Sequence, residues 1–235
     1  MGIRVTVLSM VDAVAEDLRG RLFSGALPAG RALTEAQIAG HYDIARPTAK
    51  AAIEQLVADG LLQRTVHKTA RVPILGPDDV RDIYGIRAHL ESETLRQLAL
   101  KRLVPDGARL ANARVLAAAG GTGQGVVEPD MQFHAALIDA VGSPRLSQMY
   151  GSLVQEVRLC MAQVQGRQLL TVELIAAEHQ RILEHVQAGE GDAAASLLYG
   201  HLEHARERLV SALSGTNSAS GRHATDGAAP RRPRR

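Results

Sequence analysis

The sequence predicts a mostly α-helical chain, on three observations. Apolar residues make up 46% of its 235 positions, yet aromatics make up only 3% and Trp is absent. Many of the apolar residues are Ala and Leu, which suit packed helices better than sheets. Apolar side chains also recur at helical spacing along most of the chain, and Gly- or Pro-containing stretches separate the periodic runs. The length suits two domains better than one. We divide the chain into residues 1–75, with short helices and strands, residues 76–213, an all-helical antiparallel bundle, and residues 214–235, a disordered basic tail.

Val11–Phe23 is the first expected helix, with Val11, Val14, Ala15, Leu18 and Leu22 on one side and Ser9 as its cap. Gly25, Pro28 and Gly30 then mark a turn. Next come two short helices with a tight connection. Glu35–His41 follows Thr34 as N-cap, Asp43-Ile44 sits in the turn, and Arg46–Asp59 is stopped by Gly60. Arg46, Thr48 and Lys50 fall at the start of the second helix, where a recognition helix meets duplex DNA. Helical periodicity alone favours an ordinary helical pair, since such pairs are common. Leu62–Pro73 alternates like a strand around Gln63–Val66 and Thr69–Val72.

The run Ile44-Ala45-Arg46-Pro47-Thr48-Ala49-Lys50-Ala51-Ala52-Ile53, followed by Asp59-Gly60-Leu61-Leu62 and short strands, resembles the winged helix-turn-helix of GntR-type bacterial transcriptional regulators. Arg46 matches that family's DNA-contacting arginine, and Lys50 stands where a second arginine is usual. Pro47-Thr48 inverts the family's order, Ala45 replaces a Ser or Thr, and the wing tip Val66-His67-Lys68-Thr69 lacks the family's glycine. The resemblance implies that Arg64, Lys68 and Arg71 bring positive charge to the wing, with His67 in or near the groove. Arg31, in the loop before the motif, reads as a phosphate contact or as a solvated surface residue.

Pro77 begins the next expected helix, which runs to about Arg102, and Pro105–Ala119 is a second. Gly120–Val127 reads as a flexible connection. Glu128–Val141, Pro144–Gln165, Leu170–Ala188 and Asp192–Leu213 complete the helical set. Asp130 and His134 are four residues apart, so a helix places them on one face. Spacing says nothing comparable about His179 and His201.

The segment from Asp79 to Ala99, with Arg87 and Glu91, resembles the opening of the FCD ligand-binding domain of FadR-like members of the family. Phe133-His134, Glu178-His179 and Gly200-His201-Leu202 match that domain's metal-binding motifs. The resemblance implies a site in which Asp130, His134, His179 and His201 hold a divalent metal, Zn²⁺ first and Ni²⁺ or Mn²⁺ as alternatives. Its rival is a histidine cluster satisfied by hydrogen bonds and water. Glu178 is a candidate to orient a ligating histidine. The resemblance also implies a small carboxylate-bearing metabolite beside the metal. Arg87 either contacts that carboxylate or forms a salt bridge with Glu91, and Tyr84 and Gln132 are further pocket candidates.

Charge is unevenly spread: residues 1–75 carry 9 Lys/Arg and 7 Asp/Glu, residues 76–210 carry 13 and 17, and residues 211–235 carry 5 and 1. The bundle's acidic surface does not suit DNA, which leaves that role to the N-terminal block. The single cysteine, Cys160, excludes an intramolecular disulfide and reads as a buried structural thiol. No run suits a membrane span or a secretion signal, so a cytoplasmic protein is expected. The combined expectation is a homodimeric, ligand-responsive repressor of operator DNA and not an enzyme. A metal-dependent hydrolase or lyase and a structural helical interaction protein are the alternatives.

Overall fold

The computed structural model describes residues 9–64, 69–119, 124–164 and 171–220. Helix α1, Met10–Phe23, starts where Ser9 accepts a hydrogen bond from the Asp12 amide. Strand β1, Ala32–Leu33, leads into α2, Glu35–Tyr42. Thr34 and Gln37 form a reciprocal capping box at the start of α2, satisfying two amides that the helix itself leaves free. Asp43 closes α2 in the left-handed region at φ 51°, which turns the chain into α3, Arg46–Ala58. No side chain caps α3, because Ala45 stands at its N-cap.

The wing is present as a short strand pair, with a partner the sequence did not indicate: strand β2, Ala70–Arg71, pairs antiparallel with β1. Gln63 meets the other edge of Arg71 through a single bridge, with both backbone hydrogen bonds made. Residues 65–68, which include the tip candidates His67 and Lys68, lie outside the described residues.

Val14, Leu18, Leu22, Ile38, Ile53, Leu56, Leu61 and Leu62 form the apolar core of this unit. Two polar clasps hold its rim. Arg19 bridges Glu16 and Asp59 at 2.6 and 2.7 Å, joining α1 to the end of α3. Arg64 bridges Glu54 at 2.6 Å and Glu35 at 3.3 Å, joining the segment after α3 to both motif helices.

The remaining helices are α4 (Pro77–Leu100), α5 (Asp106–Ala117), α6 (Gln124–Asp139), α7 (Pro144–Gln163), α8 (Val172–Ala188) and α9 (Gly191–Ser220). Two boundaries correct the sequence reading. Helix α6 begins at Gln124, four residues before the expected start, so Pro129 lies in its interior rather than in its first turn. Helix α9 continues to Ser220, beyond Leu213, where an unstructured tail was expected to begin. Leu95, Leu98, Phe133, Leu137, Val157, Ile182, Leu183 and Leu198 lie in the bundle core.

One bundle residue belongs to the other core: Leu159 of α7, 1% exposed, packs among the winged-domain residues. The Gln163 side chain clamps the connecting segment near it. Its Nε2 donates to the Pro73 carbonyl at 3.1 Å, and its Oε1 accepts from the Leu75 amide at 3.3 Å. Cys160 is also 1% exposed, and burial pushes its thiol up to about 12. A thiol reagent applied near neutral pH is therefore expected to leave the native chain unmodified and to label it fully in urea. Rapid labelling of the native protein would contradict this packing.

Candidate metal centre and nucleic-acid interface

The bundle brings Asp130, His134, His179 and His201 together. One ligand atom from each lies within 4.8 Å of the others. Helix α6 supplies the first two from one face, α8 supplies His179 and α9 supplies His201. The three histidines are 0–3% exposed. Asp130 Oδ1 lies 3.4 Å from His179 Nε2 and 3.9 Å from His134 Nε2. Adjacent ligands of an ion held at about 2.1 Å are separated by similar distances.

Two acids orient the rings from behind. Glu91 Oε2 faces His134 Nδ1 at 2.6 Å, and Glu178 Oε2 faces His201 Nδ1 at 2.7 Å. Each contact places the proton on Nδ1 and leaves the Nε2 lone pair to point inward. His179 is fixed differently, by stacking on Phe133 with ring centres 3.7 Å apart and planes within 6°. Desolvation holds the His179 pKa well below its ordinary value, helped by His201, His134 and Arg87. A neutral imidazole is the form that ligates a metal.

Among the described residues, Asp130 Oδ1, His134 Nε2 and both ring nitrogens of His179 are buried without a hydrogen-bond partner. Buried polar atoms left in this way cost free energy. One carboxylate and three imidazoles turned toward each other fit a divalent cation.

Arg87, Glu91 and Tyr150 form a second buried layer, each 0–1% exposed. Glu91 Oε1 accepts from Arg87 Nε at 2.9 Å and from Tyr150 Oη at 2.7 Å. Burial alone raises the Glu91 carboxyl. The hydrogen bond from His134, the Arg87 charge and the hydrogen bond from Tyr150 overcome this and hold it below its ordinary value. The salt-bridge reading of Arg87 is thus present in the structure. Arg87 Nη2 nevertheless remains buried without a hydrogen-bond partner.

Tyr84 lies against this layer, its ring centre 5.0 Å from the Arg87 guanidinium carbon, and burial pushes its phenol up to about 12. Gln132 is placed elsewhere: its side chain bonds Arg114 and Glu128 on the bundle surface. The hub position of Glu91 and the role of Tyr150 were missed in the sequence. Only the Arg87–Glu91 spacing of four residues hinted at either.

The DNA-binding candidates divide by exposure. Arg46 and Lys50 are exposed and Thr48 is half-buried in the first turns of α3, and Arg31 is exposed just before β1. Arg64 is half-buried and engaged by its two acids. Arg71 Nη1 donates to the Gly30 carbonyl at 3.1 Å.

Residues 10–72 match the model of the bacterial regulatory proteins of the gntR family, and residues 82–204 match the FCD domain. The chain is 33% identical over 94 residues to the uncharacterized HTH-type transcriptional regulator BphR of Paraburkholderia xenovorans, a match covering 40% of this chain and 38% of that protein. It is 25% identical over 215 residues to the "Probable D-xylose utilization operon transcriptional repressor" of Paenarthrobacter nicotinovorans, covering 85% of this chain and 88% of that one. Among solved structures, it resembles a GntR regulator from Rhodococcus sp. RHA1. The TM-score is 0.74 at 23% identity, covering 87% of this chain and 99% of the other. An exposed recognition helix joined to a helical bundle that gathers a buried histidine cluster, together with these matches, identifies a non-enzymatic, ligand-responsive DNA-binding protein: the chain belongs to the GntR family of transcriptional regulators and carries an FCD domain.

Proposed function

We propose that this regulator is a cytoplasmic homodimeric repressor whose hold on operator DNA is set by a small carboxylate-bearing metabolite at a zinc-containing site. The observation that carries the reading is the buried Asp130/His134/His179/His201 cluster in the same chain as an exposed, basic recognition-helix start. Residues 1–75 serve as the DNA-binding unit and residues 76–213 as the effector and dimerisation unit. A name that includes "transcriptional repressor" for a relative aligned over most of this chain supports the sign of control. Among the described residues, no helix is long and apolar enough to cross a membrane.

Each winged domain takes one half-site of a near-palindromic operator. Arg46, Thr48 and Lys50 enter the major groove from the first turns of α3, and Arg31 meets a phosphate. In the bundle, Asp130, His134, His179 and His201 would hold the metal, which when bound supplies an electrophilic centre for an anionic ligand. Arg87 Nη2 and Tyr84 line the approach of the carboxylate. Ligand and operator then act through differential affinity for two arrangements of the chain.

Selection from a random duplex pool at physiological salt tests the reading. One enriched sequence is expected, and Arg46→Ala is expected to weaken its binding by about 1–3 kcal/mol. Enrichment of no sequence above background would reject operator recognition.

A further inference from the structure

The buried layer behind the metal ligands continues into a helix that is shared with the winged domain. Tyr150, whose hydroxyl donates to Glu91, lies in the second turn of α7. Thirteen residues further along, a rise of about 20 Å, the same helix ends in the Gln163 clamp on the connecting segment. Between them Leu159 enters the winged core. Arg158 of α7 pairs with Glu128 at 2.8–3.0 Å, two residues before Asp130, and its guanidinium carbon lies 5.9 Å from the centre of the Phe23 ring, at the end of α1. One rigid helix therefore touches the support of the candidate metal site at one end and the DNA-binding unit at the other.

We propose that α7 is the transmission element of this regulator and that Tyr150 is the positioning residue linking the state of the metal centre to the winged domain; this rests on the metal-site reading above. Glu91 holds His134 through one oxygen and Tyr150 through the other. A shift of the His134 ring displaces the carboxylate, and Tyr150 follows, because a buried hydroxyl left without its acceptor is costly. The close-packed helix carries the displacement along its axis. At its far end, a cavity of about 250 Å³ lies between the two units, lined by Leu22, Leu27, Ile74, Leu159 and Gln163 among others. That space lets the Leu159–Gln163 end change its seat without overlap.

Hydrogen exchange on the full chain, metal-free and loaded with Zn²⁺, tests the proposal. In the unmodified chain, zinc is expected to change exchange at the Leu75 amide, the donor to Gln163, and across α1–α3. Tyr150→Phe is expected to bind zinc within about tenfold of the unmodified chain and to lose the change outside the bundle. Gln163→Ala, at the half-buried end of α7, is expected to keep zinc affinity and lose the change in α1–α3; it decides the matter if Tyr150→Phe does not fold. A variant that binds zinc and still transmits fully overturns the role of its residue. Zinc binding by the unmodified chain with no change beyond the bundle overturns transmission while leaving the metal site standing. Failure of the unmodified chain to bind zinc removes both.

Discussion

Glu91→Ala is expected to destabilise the bundle by about 3–5 kcal/mol, because it leaves a buried guanidinium without its carboxylate. Arg87 and Glu91 are 1% and 0% exposed, so water does not replace the lost partner. Tyr150 loses its acceptor and His134 loses the contact that sets its proton position in the same step. Urea unfolding followed by circular dichroism measures the effect. Replacing both members of the pair by apolar residues of similar volume is expected to cost much less than either single change, because no charge is then stranded. A Glu91→Ala penalty below about 1 kcal/mol would show that the layer is not held as tightly as its geometry implies.

His134→Ala and His179→Ala are each expected to reduce bound metal from about one ion per chain to a small fraction of that. Each removes a nitrogen donor from a four-member set, which among the described residues no further His, Cys, Asp or Glu joins. His204→Ala is the control: His204 is exposed, three residues beyond His201, and is not in the cluster. Elemental analysis of the purified variants gives the answer. Unchanged metal content in both histidine variants would displace the assignment.

Local signals account for what the sequence made legible. Ser9 and Thr34 cap the helices they were expected to cap, and Gly60, at φ +77°, stops α3 as expected. These features need only a few neighbouring residues to act. Strand β1 was not legible, since Ala32–Leu33 is too short for a period and is defined only by its distant partner. The early start of α6 was hidden by the glycines around Gln124, which favour a loop until tertiary packing selects the helix.

At the site, the Asp130/His134 pair follows from helix geometry, whereas the approach of His179 and His201 was carried by family resemblance. Glu91 shows the limit most directly. Its link to Arg87 lies within one helix, while its links to His134 and Tyr150 require α4, α6 and α7 to assemble. Gln132, a pocket candidate two residues from Asp130, instead bonds Arg114 and Glu128 on the bundle surface.

Arg64 carries a consequence for the strength of nucleic-acid binding. Its guanidinium is held between Glu35 and Glu54, so the three side chains together contribute a negative charge rather than a positive one. Counterions that duplex DNA releases on binding answer to cations that reach phosphates, not to the number of basic residues in the domain. The affinity of this domain should accordingly fall with salt less steeply than its arginine content suggests, leaving a larger share of recognition to base contacts from α3.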